Sequence, residues 1–305
     1  MTKTLLDRSS TARPADATCT VAPFKTQLLK WVGNKQKFAH EIIAHFPQDF
    51  GTYYEPFLGS GAVLATLAPK RAVASDAFRP LVEIWHALSH DPQQLKNWYC
   101  ERYERYMRGE RVQQYEAIKA DYNAHPNGAD FLFLTRACYG GVVRFRKKDG
   151  YMSTPCGAHM PMKPAAFARR VDLWAARLSG TSFEQSDFKP IMARAKPGDL
   201  IYCDPPYGDS QSILYGAQGF KIDELFSEIQ KCKARGVHVA LSLDGTKKSG
   251  RHQCPLNVPH GLFEQEIMVN LGRSMLRRFQ MAGQSLEGEQ VHDRLLLNYP
   301  NSGSC

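Results

Sequence analysis

Thr52-Tyr53-Tyr54-Glu55-Pro56-Phe57-Leu58-Gly59-Ser60-Gly61 is an aromatic run that breaks into a proline and two glycines, and the apolar segment Ala62 to Leu67 follows it. The run reads as a strand, the glycine segment as a loop and Ala62 to Leu67 as a helix. Working outward, Arg71 to Ser75 reads as a second short strand ending at Asp76, and Pro80 to Ser89 resumes as a helix. Farther along, Asp199-Leu200-Ile201-Tyr202-Cys203 is a buried-type strand that runs into Asp204-Pro205-Pro206-Tyr207. Ile222 to Lys233 reads as a helix, Gly236 to Leu243 as another buried-type strand, and Asp293 to Tyr299 as a closing strand. Strands alternating with helices predict an α/β fold with a mainly parallel sheet and helices on both faces.

The flanks and the middle differ from this pattern. Residues 1–26 are polar, contain Pro14 and Pro23, lack an apolar period and are expected to be a flexible tail. Leu28 to Phe46 reads as a turn and a short helix ended by Pro47. Residues 91–180 read as helical and basic, broken at Asn123 to Gly128 and around 139–164. The expected organisation is a catalytic domain made of 27–90 and 181–305, with 91–180 as an insert.

Length and composition bound the function. The chain has 305 residues, 43% hydrophobic and 23% charged, enough apolar material for one large domain with an insert and too much for a disordered chain. No apolar run approaches the ~20 residues of a membrane helix, and the start does not read as a secretory signal, so no membrane partner is expected. The eight cysteines are scattered singly without a Cys-x-x-Cys pair, which argues against a disulfide framework or a zinc ribbon and fits a reducing cytoplasm. Cys232, His252, Cys254 and His260 match no common metal-ligand spacing, and no metal is expected.

The net charge is +9, and residues 101–180 carry fourteen Lys and Arg against eight Asp and Glu, most of that excess. Such a concentration points to a polyanion, with phosphate contacts as the main source of affinity. Arg102, Arg105, Arg108 and Arg111, interleaved with Glu101, Glu104 and Glu110, read as a solvated helix face. Arg144-Phe145-Arg146-Lys147-Lys148, between Gly140-Gly141 and Asp149-Gly150, reads as an exposed hairpin or loop suited to nucleic acid.

Three constellations carry chemistry. In the first, Gly59 and Gly61 after a strand let a ligand approach the backbone, at the strand ends where open α/β sheets bind ligands. Asp76 ends the neighbouring strand, where a carboxylate can accept hydrogen bonds from ribose hydroxyls. Residue 64 is Leu, so the third glycine of a nicotinamide or flavin site is missing, and no Gly-Lys-Ser/Thr follows. In the second, Pro205 and Pro206 offer rigid carbonyl acceptors beside the Asp204 carboxylate and the Tyr207 ring. Those groups suit a planar exocyclic amine, with the base stacked on Tyr207 for ~1–3 kcal/mol. In the third, Lys30-Trp31-Val32-Gly33-Asn34-Lys35 places an aromatic, a glycine turn and a lysine ahead of the first strand, able to close over a cofactor that carries a carboxylate.

Lys30-Trp31-x-Gly33-x-Lys35, Glu55-Pro56-Phe57-x-Gly59-x-Gly61 and Asp204-Pro205-Pro206-Tyr207, in that order with a basic insert before the last, resemble the Dam-type (D12 class) DNA adenine-N6 methyltransferases over roughly residues 28–300. The resemblance implies a Rossmann-like S-adenosylmethionine-dependent methyltransferase sheet with a mainly helical DNA-recognition insert. It implies S-adenosylmethionine as cofactor, with Trp31, Lys35, Asp76 and Asp204 in contact with it and Phe57, Gly59 and Gly61 forming its loop. Arg136-Ala137-Cys138-Tyr139-Gly140-Gly141-Val142-Val143-Arg144-Phe145 is similar to the family's DNA-entering segment. By that likeness Tyr139 wedges between base pairs and Arg144 reads a guanine edge, with Arg136, Arg146, Lys147 and Lys148 as further DNA contacts. The chain departs from the pattern at Gly140, where an asparagine is expected, and at Arg273-Ser274-Met275-Leu276-Arg277-Arg278. Both departures count against a GATC target more than against the chemistry.

The expected reaction is methyl transfer to N6 of an adenine flipped out of duplex DNA. Asp204, Pro205, Pro206 and Tyr207 would hold the amine, and no cysteine nucleophile is needed. Cys203 precedes Asp204 on the strand and should face the core. Double-stranded DNA is the expected partner, with room for a cognate restriction endonuclease in the same system. A monomer in a bacterial or phage-infected cytoplasm is expected. The alternatives are methylation of another nitrogen (cytosine N4, RNA or a protein glutamine), a non-catalytic DNA-binding regulator on this scaffold, and a generic Rossmann-type nucleotide enzyme. Asp as the first residue of the tetrapeptide, with Tyr as its last, favours adenine.

Overall fold

A computed structural model describes residues 21–31, 33–206, 220–244, 246–247, 252–253, 258–273 and 290–300. A seven-stranded sheet is built from β1 (Tyr53–Glu55), β2 (Ala72–Asp76), β3 (Thr181–Gln185), β4 (Leu200–Cys203), β5 (His238–Asp244), β8 (Gln265–Arg273) and β9 (Gln290–Leu297). Their order is β3-β2-β1-β4-β5-β9-β8. The first five are parallel, whereas β9 runs antiparallel to β5 and to β8. β6 (Thr246–Lys247) and β7 (His252–Gln253) form a separate two-stranded ribbon. This is the α/β, Rossmann-like sheet expected from the sequence.

Strand periodicity sorts the side chains into two cores. Tyr53, Ala72, Ala74, Leu200, Tyr202, Ala240, Leu295 and Leu297 pack into one cluster, and Tyr54, Val73, Ile201, Cys203, Val239, Leu241 and Leu296 into the other. Successive residues alternate between the two faces, as the pleat requires, and both faces are buried. Cys203 is core, as the alternation predicted, and burial pushes its thiol well up. α8 (Phe188–Ala193) and α9 (Ile222–Ala234) cover the second face.

The first face carries α1 (Ala39–Ile43), α2 (Ala62–Leu67), α3 (Arg79–His90) and the helices of the middle region: α4 (Pro92–Met107), α5 (Arg111–Ala124), α6 (Gly128–Ala137) and α7 (Pro164–Arg177). Tyr99, Tyr115, Phe131, Phe133 and Phe167 from this region share one core with Tyr53 and Tyr202 of the sheet. The segment expected to be an insert is therefore continuous with the sheet's own core. α7 is tied to it by side chains: Trp174 lies 5.5 Å from Trp85 of α3, and the Arg177 guanidinium donates to the Ala65 and Thr66 carbonyls at the end of α2.

Two expectations change. Residues 21–26 belong to the fold rather than to a tail, since Val21 and Phe24 pack on the core and the Thr26 carbonyl accepts from Trp174 Nε1 at 2.9 Å. β3 and β8, which were not read as strands from the sequence, are the sheet's two edges. In β3 only Thr181 and Phe183 are buried.

Candidate active site

The glycine loop after β1 has to turn sharply. Gly59 and Gly61 take φ of +48° and +63°, the left-handed region that a side chain disfavours. Leu58 N–H donates to Ser75 O at 2.9 Å and Gly61 N–H to Leu58 O at 2.8 Å, so the loop folds back on β2. There Asp76 holds it: Oδ2 accepts from Gly59 N–H at 3.0 Å and Oδ1 from Phe78 N–H at 2.9 Å. Burial pushes the Asp76 carboxyl up, and those backbone N–H groups oppose the shift. Asp76 thus anchors the loop in addition to bordering the cavity beside it.

That cavity holds about 430 Å³, the size of a small-molecule site, and lies at the carboxyl ends of β1, β2 and β4. Trp31, Lys35, Phe57, Gly59, Asp76, Asp204, Pro205 and Pro206 line it, bringing most of the sequence-predicted cofactor and catalytic residues together. Gly61 sits just behind, where a Cβ would meet Trp85 at 3.2 Å, so it serves packing as well as the turn. A Cβ on Gly59 would come within 3.3 Å of Trp31 Nε1, so the indole lies directly over the loop. Phe57 stacks on Phe188 at 5.2 Å and meets Phe220 edge-on at 5.6 Å, forming an aromatic wall. Lys35, with 7% of its side chain exposed, brings its ammonium 3.1 Å from Asp204 Oδ1. Tyr207 and Val32 lie outside the described residues.

Sequence reasoning quoted Glu55 without giving it a role. It is buried, lines the cavity, and accepts a hydrogen bond from Tyr53 O–H at 2.7 Å. Burial, reinforced by the Asp204 charge, pushes its carboxyl up to about 8, against the pull of the Tyr53 hydrogen bond. Glu55 therefore stands neutral near pH 7 beside the Lys35–Asp204 pair. Phe188 and Phe220 were also missed. Phe188 opens α8, one turn after the unrecognised edge strand β3.

The expected DNA contacts separate into two groups. Phe145 bridges Met152, Arg146 N–H donates to Tyr151 O at 2.9 Å, and residues 144–152 form the hairpin the sequence suggested. Arg144, Arg146, Lys147 and Lys148 are exposed on it. Tyr139 is 46% exposed on the short 3-10 turn Tyr139–Gly141. Gly140 there takes φ +65°, a conformation that glycine and asparagine both tolerate, so the departure from the family pattern keeps the backbone and removes an amide. Arg136 is different: it is 7% exposed, inside α6, and its Nη1 donates to the Leu28 carbonyl at 2.7 Å. It holds the N-terminal segment and does not face a DNA partner. The signal was Phe131-Leu132-Phe133-Leu134, a run apolar on every side of the helix.

A mainly parallel sheet with a glycine loop, an anchoring acid and an Asp-Pro-Pro strand end around a small-molecule cavity defines a Rossmann-like group-transfer enzyme. The chain belongs to the D12 class N6 adenine-specific DNA methyltransferase family, whose model matches residues 31–249. It is similar to the DNA adenine methylase of Vibrio cholerae serotype O1, 26% identical over 239 residues, 73% of this chain and 83% of that protein. It is similar to the type II methyltransferase M1.LlaDCHI of Lactococcus lactis subsp. cremoris, 25% identical over 70% of this chain and 79% of that protein. The retron Ec67 DNA adenine methylase of Escherichia coli is 29% identical over 65% of this chain and 69% of its own length. The chain is thus an adenine-specific DNA methyltransferase that uses a methyl donor. No helix among the described residues is long and apolar enough to cross a membrane.

Proposed function

We propose that the methyl donor is S-adenosylmethionine, held in the cavity under Trp31, and that the acceptor is N6 of an adenine flipped out of duplex DNA by a monomer. The observation that carries this reading is the Lys35–Asp204 pair inside a glycine-loop cavity, 3.1 Å apart at the end of β4. The residues fit such a donor. Lys35 has three N–H donors and can hold Asp204 while reaching a carboxylate. Asp76 borders the cavity where ribose hydroxyls would lie, and the Phe57–Phe188 wall suits a purine. The donor supplies an electrophilic sulfonium methyl group.

Asp204 and the Pro205 carbonyl accept the two N6–H bonds of the adenine. The contact would turn the nitrogen lone pair toward the bound donor; on transfer the methyl carbon would leave its sulfur, which departs as the neutral thioether, and the carboxylate side of the site would receive the proton that the nitrogen sheds. Pro206 fixes the backbone of this acceptor pair, and Tyr207 stacks on the base. Holding both reactants in line supplies much of the rate. Tyr139 fills the gap left in the stack, Arg144 reads a base edge, and Arg146, Lys147 and Lys148 contact phosphates.

The test is to express the chain and its Asp204→Ala variant in a host that lacks adenine methylation and to map N6-methyladenine by single-molecule sequencing. Methyladenine in a defined motif, present only with the intact chain, is the expected result and also gives the recognition sequence. A folded protein that binds S-adenosylmethionine yet leaves no modified adenine would overturn the reading and bring RNA or protein methylation forward.

A further inference from the structure

The basic hairpin does not end at the surface. Phe145, between Arg144 and Arg146, is half-buried, and its ring lies 5.6 Å from Phe78 at 67° and 6.5 Å from Phe131 at 24°. Phe78 is 5.1 Å from Phe131 and 6.4 Å from Trp31, and Trp31 is 5.8 Å from Phe131. These four rings form one cluster. Trp31 and Phe78 line the cofactor cavity, Phe131 belongs to α6, and Phe145 belongs to the arm whose cations point outward.

The segment that brings Trp31 to the cavity is tied to the same region. Thr26, Gln27 and Leu28 give their carbonyls to Trp174 Nε1 at 2.9 Å, Arg170 Nη1 at 2.6 Å and Arg136 Nη1 at 2.7 Å. Arg136 lies in α6, which leads directly into the Tyr139 turn. A Cβ on Gly141 of that turn would meet the Lys30 side chain at 2.7 Å. The cofactor wall and the DNA-facing arm are therefore one packed body, and packed interiors pass a displacement on rather than absorb it.

We propose that Phe145 is a positioning residue that couples the two ligands: through Phe78 and Phe131 it ties the hairpin to the cavity wall, so that cofactor and DNA each raise the affinity for the other. The inference rests on the proposed function, with the donor in this cavity and DNA on this hairpin. A ligand that moves Trp31 and Phe78 into place also moves Phe145 and the arm it carries, and the second ligand then meets an arm already in position. The effect must be reciprocal, because both orders of binding reach the same ternary complex.

The experiment measures the affinity of sinefungin, a non-reactive donor analogue, with and without a short duplex containing the mapped motif. The duplex is then measured with and without sinefungin. Wild type, Phe145→Ala, Phe145→Leu and Phe145→Tyr are compared as full chains, with thermal unfolding to confirm that each folds. In the wild type each ligand should tighten the other by at least about fivefold. In Phe145→Ala, or in Phe145→Leu should the alanine variant not fold, the effect should fall below about twofold while sinefungin alone binds within about threefold of wild type. Phe145→Tyr, which keeps the ring, should retain the coupling. Equal coupling in wild type and the ring-less variant, or two ligands that bind the wild type with no mutual effect, overturns this inference alone. A wild type that binds no sinefungin overturns the functional reading and the inference with it.

Discussion

The glycine-loop cavity and the basic hairpin use polar groups in opposite ways. In the cavity each group has a fixed partner in a largely buried setting: Asp76 holds the Gly59 and Phe78 N–H groups, Glu55 takes the Tyr53 hydroxyl, and Lys35 pairs with Asp204. On the hairpin the cations stand in water. Arg146 is paired with Asp149 at 2.7 Å and lies 4.2 Å from the Tyr151 ring centroid, whereas Lys147 and Lys148 have no ion pair among the described residues. A polar group lost from the cavity strands another in low dielectric, which is costly. A cation lost from the hairpin removes one screened contact and little else. On the proposed function, chemistry sits where the interior fixes geometry, and DNA affinity sits where solvent allows many weak contacts to add.

The contrast is tested most severely at Asp204. Asp204→Ala removes both the proposed acceptor for the amine and the partner of a buried ammonium. Methyl transfer should fall by about 10²–10⁴-fold, measured as labelled methyl incorporated into duplex DNA under saturating donor. Duplex affinity should change little. A rate within about tenfold of wild type would remove Asp204 from the proton-handling role that range assumes.

A second test compares two arginines that the sequence alone treats alike. Arg136→Ala leaves the Leu28 carbonyl without its donor and opens space beside Phe167, so it should cost about 2–4 kcal/mol of stability in a denaturant titration. Arg144→Ala should leave stability near wild type and cost about 1–3 kcal/mol of discrimination at one base position in competition binding. The comparison breaks if Arg136→Ala folds normally and loses only DNA, or if Arg144→Ala weakens every duplex equally.

What was legible in the sequence follows from how local its cause is. The strand, the positive-φ glycines and the Asp-Pro-Pro strand end are set by a few adjacent residues, so β1, its loop and β4 could be read directly. β3 could not, because Thr181-Ser182-Phe183-Glu184-Gln185 is an edge strand whose alternation places only two residues inside. The depth of Arg136 depends on α4, α6 and α7 closing around it, and a basic residue three positions before Tyr139 resembled a surface contact. The neutrality of Glu55 comes from burial beneath several elements and from the Asp204 charge beyond β4, which together outweigh the hydrogen bonds from Tyr53 and the Leu64 backbone. Burial and Asp204 both come from segments distant in sequence, so no local pattern announces the shift.

Glu55 gives a pH signature that separates the cavity from the hairpin. Its carboxyl lies at about 8 against an ordinary 4.5, so the folded protein keeps a proton that the unfolded chain has lost. A raised carboxyl contributes stability that is fully present below its unfolded value and lost as pH rises through its folded one. The Tm of Glu55→Gln, which mimics the neutral form, should therefore rise relative to wild type across about pH 4.5–8 and level off above, with a limiting slope near 1.4 kcal/mol per pH unit. Parallel curves for the two proteins in differential scanning calorimetry would show that Glu55 ionises normally in the fold.

The smallest expected effects lie on the hairpin and decide whether its cations are equivalent. Each phosphate contact releases counterions, so removing one cation should lower the slope of log affinity against log salt by about one. Lys147→Ala and Lys148→Ala should each do this on any duplex, with no change in the methylated motif. Arg146→Ala should lower the slope by less, since Asp149 already neutralises part of its charge and must be released before a phosphate can take its place. Asp149→Ala should then raise affinity slightly and restore a full unit to the Arg146 contribution. If Arg146 and the two lysines lower the slope equally, the Arg146–Asp149 pair opens at no cost in the complex, as screened surface pairs often do. The hairpin would then be a uniform cationic strip, and Asp149 would have no say in DNA affinity.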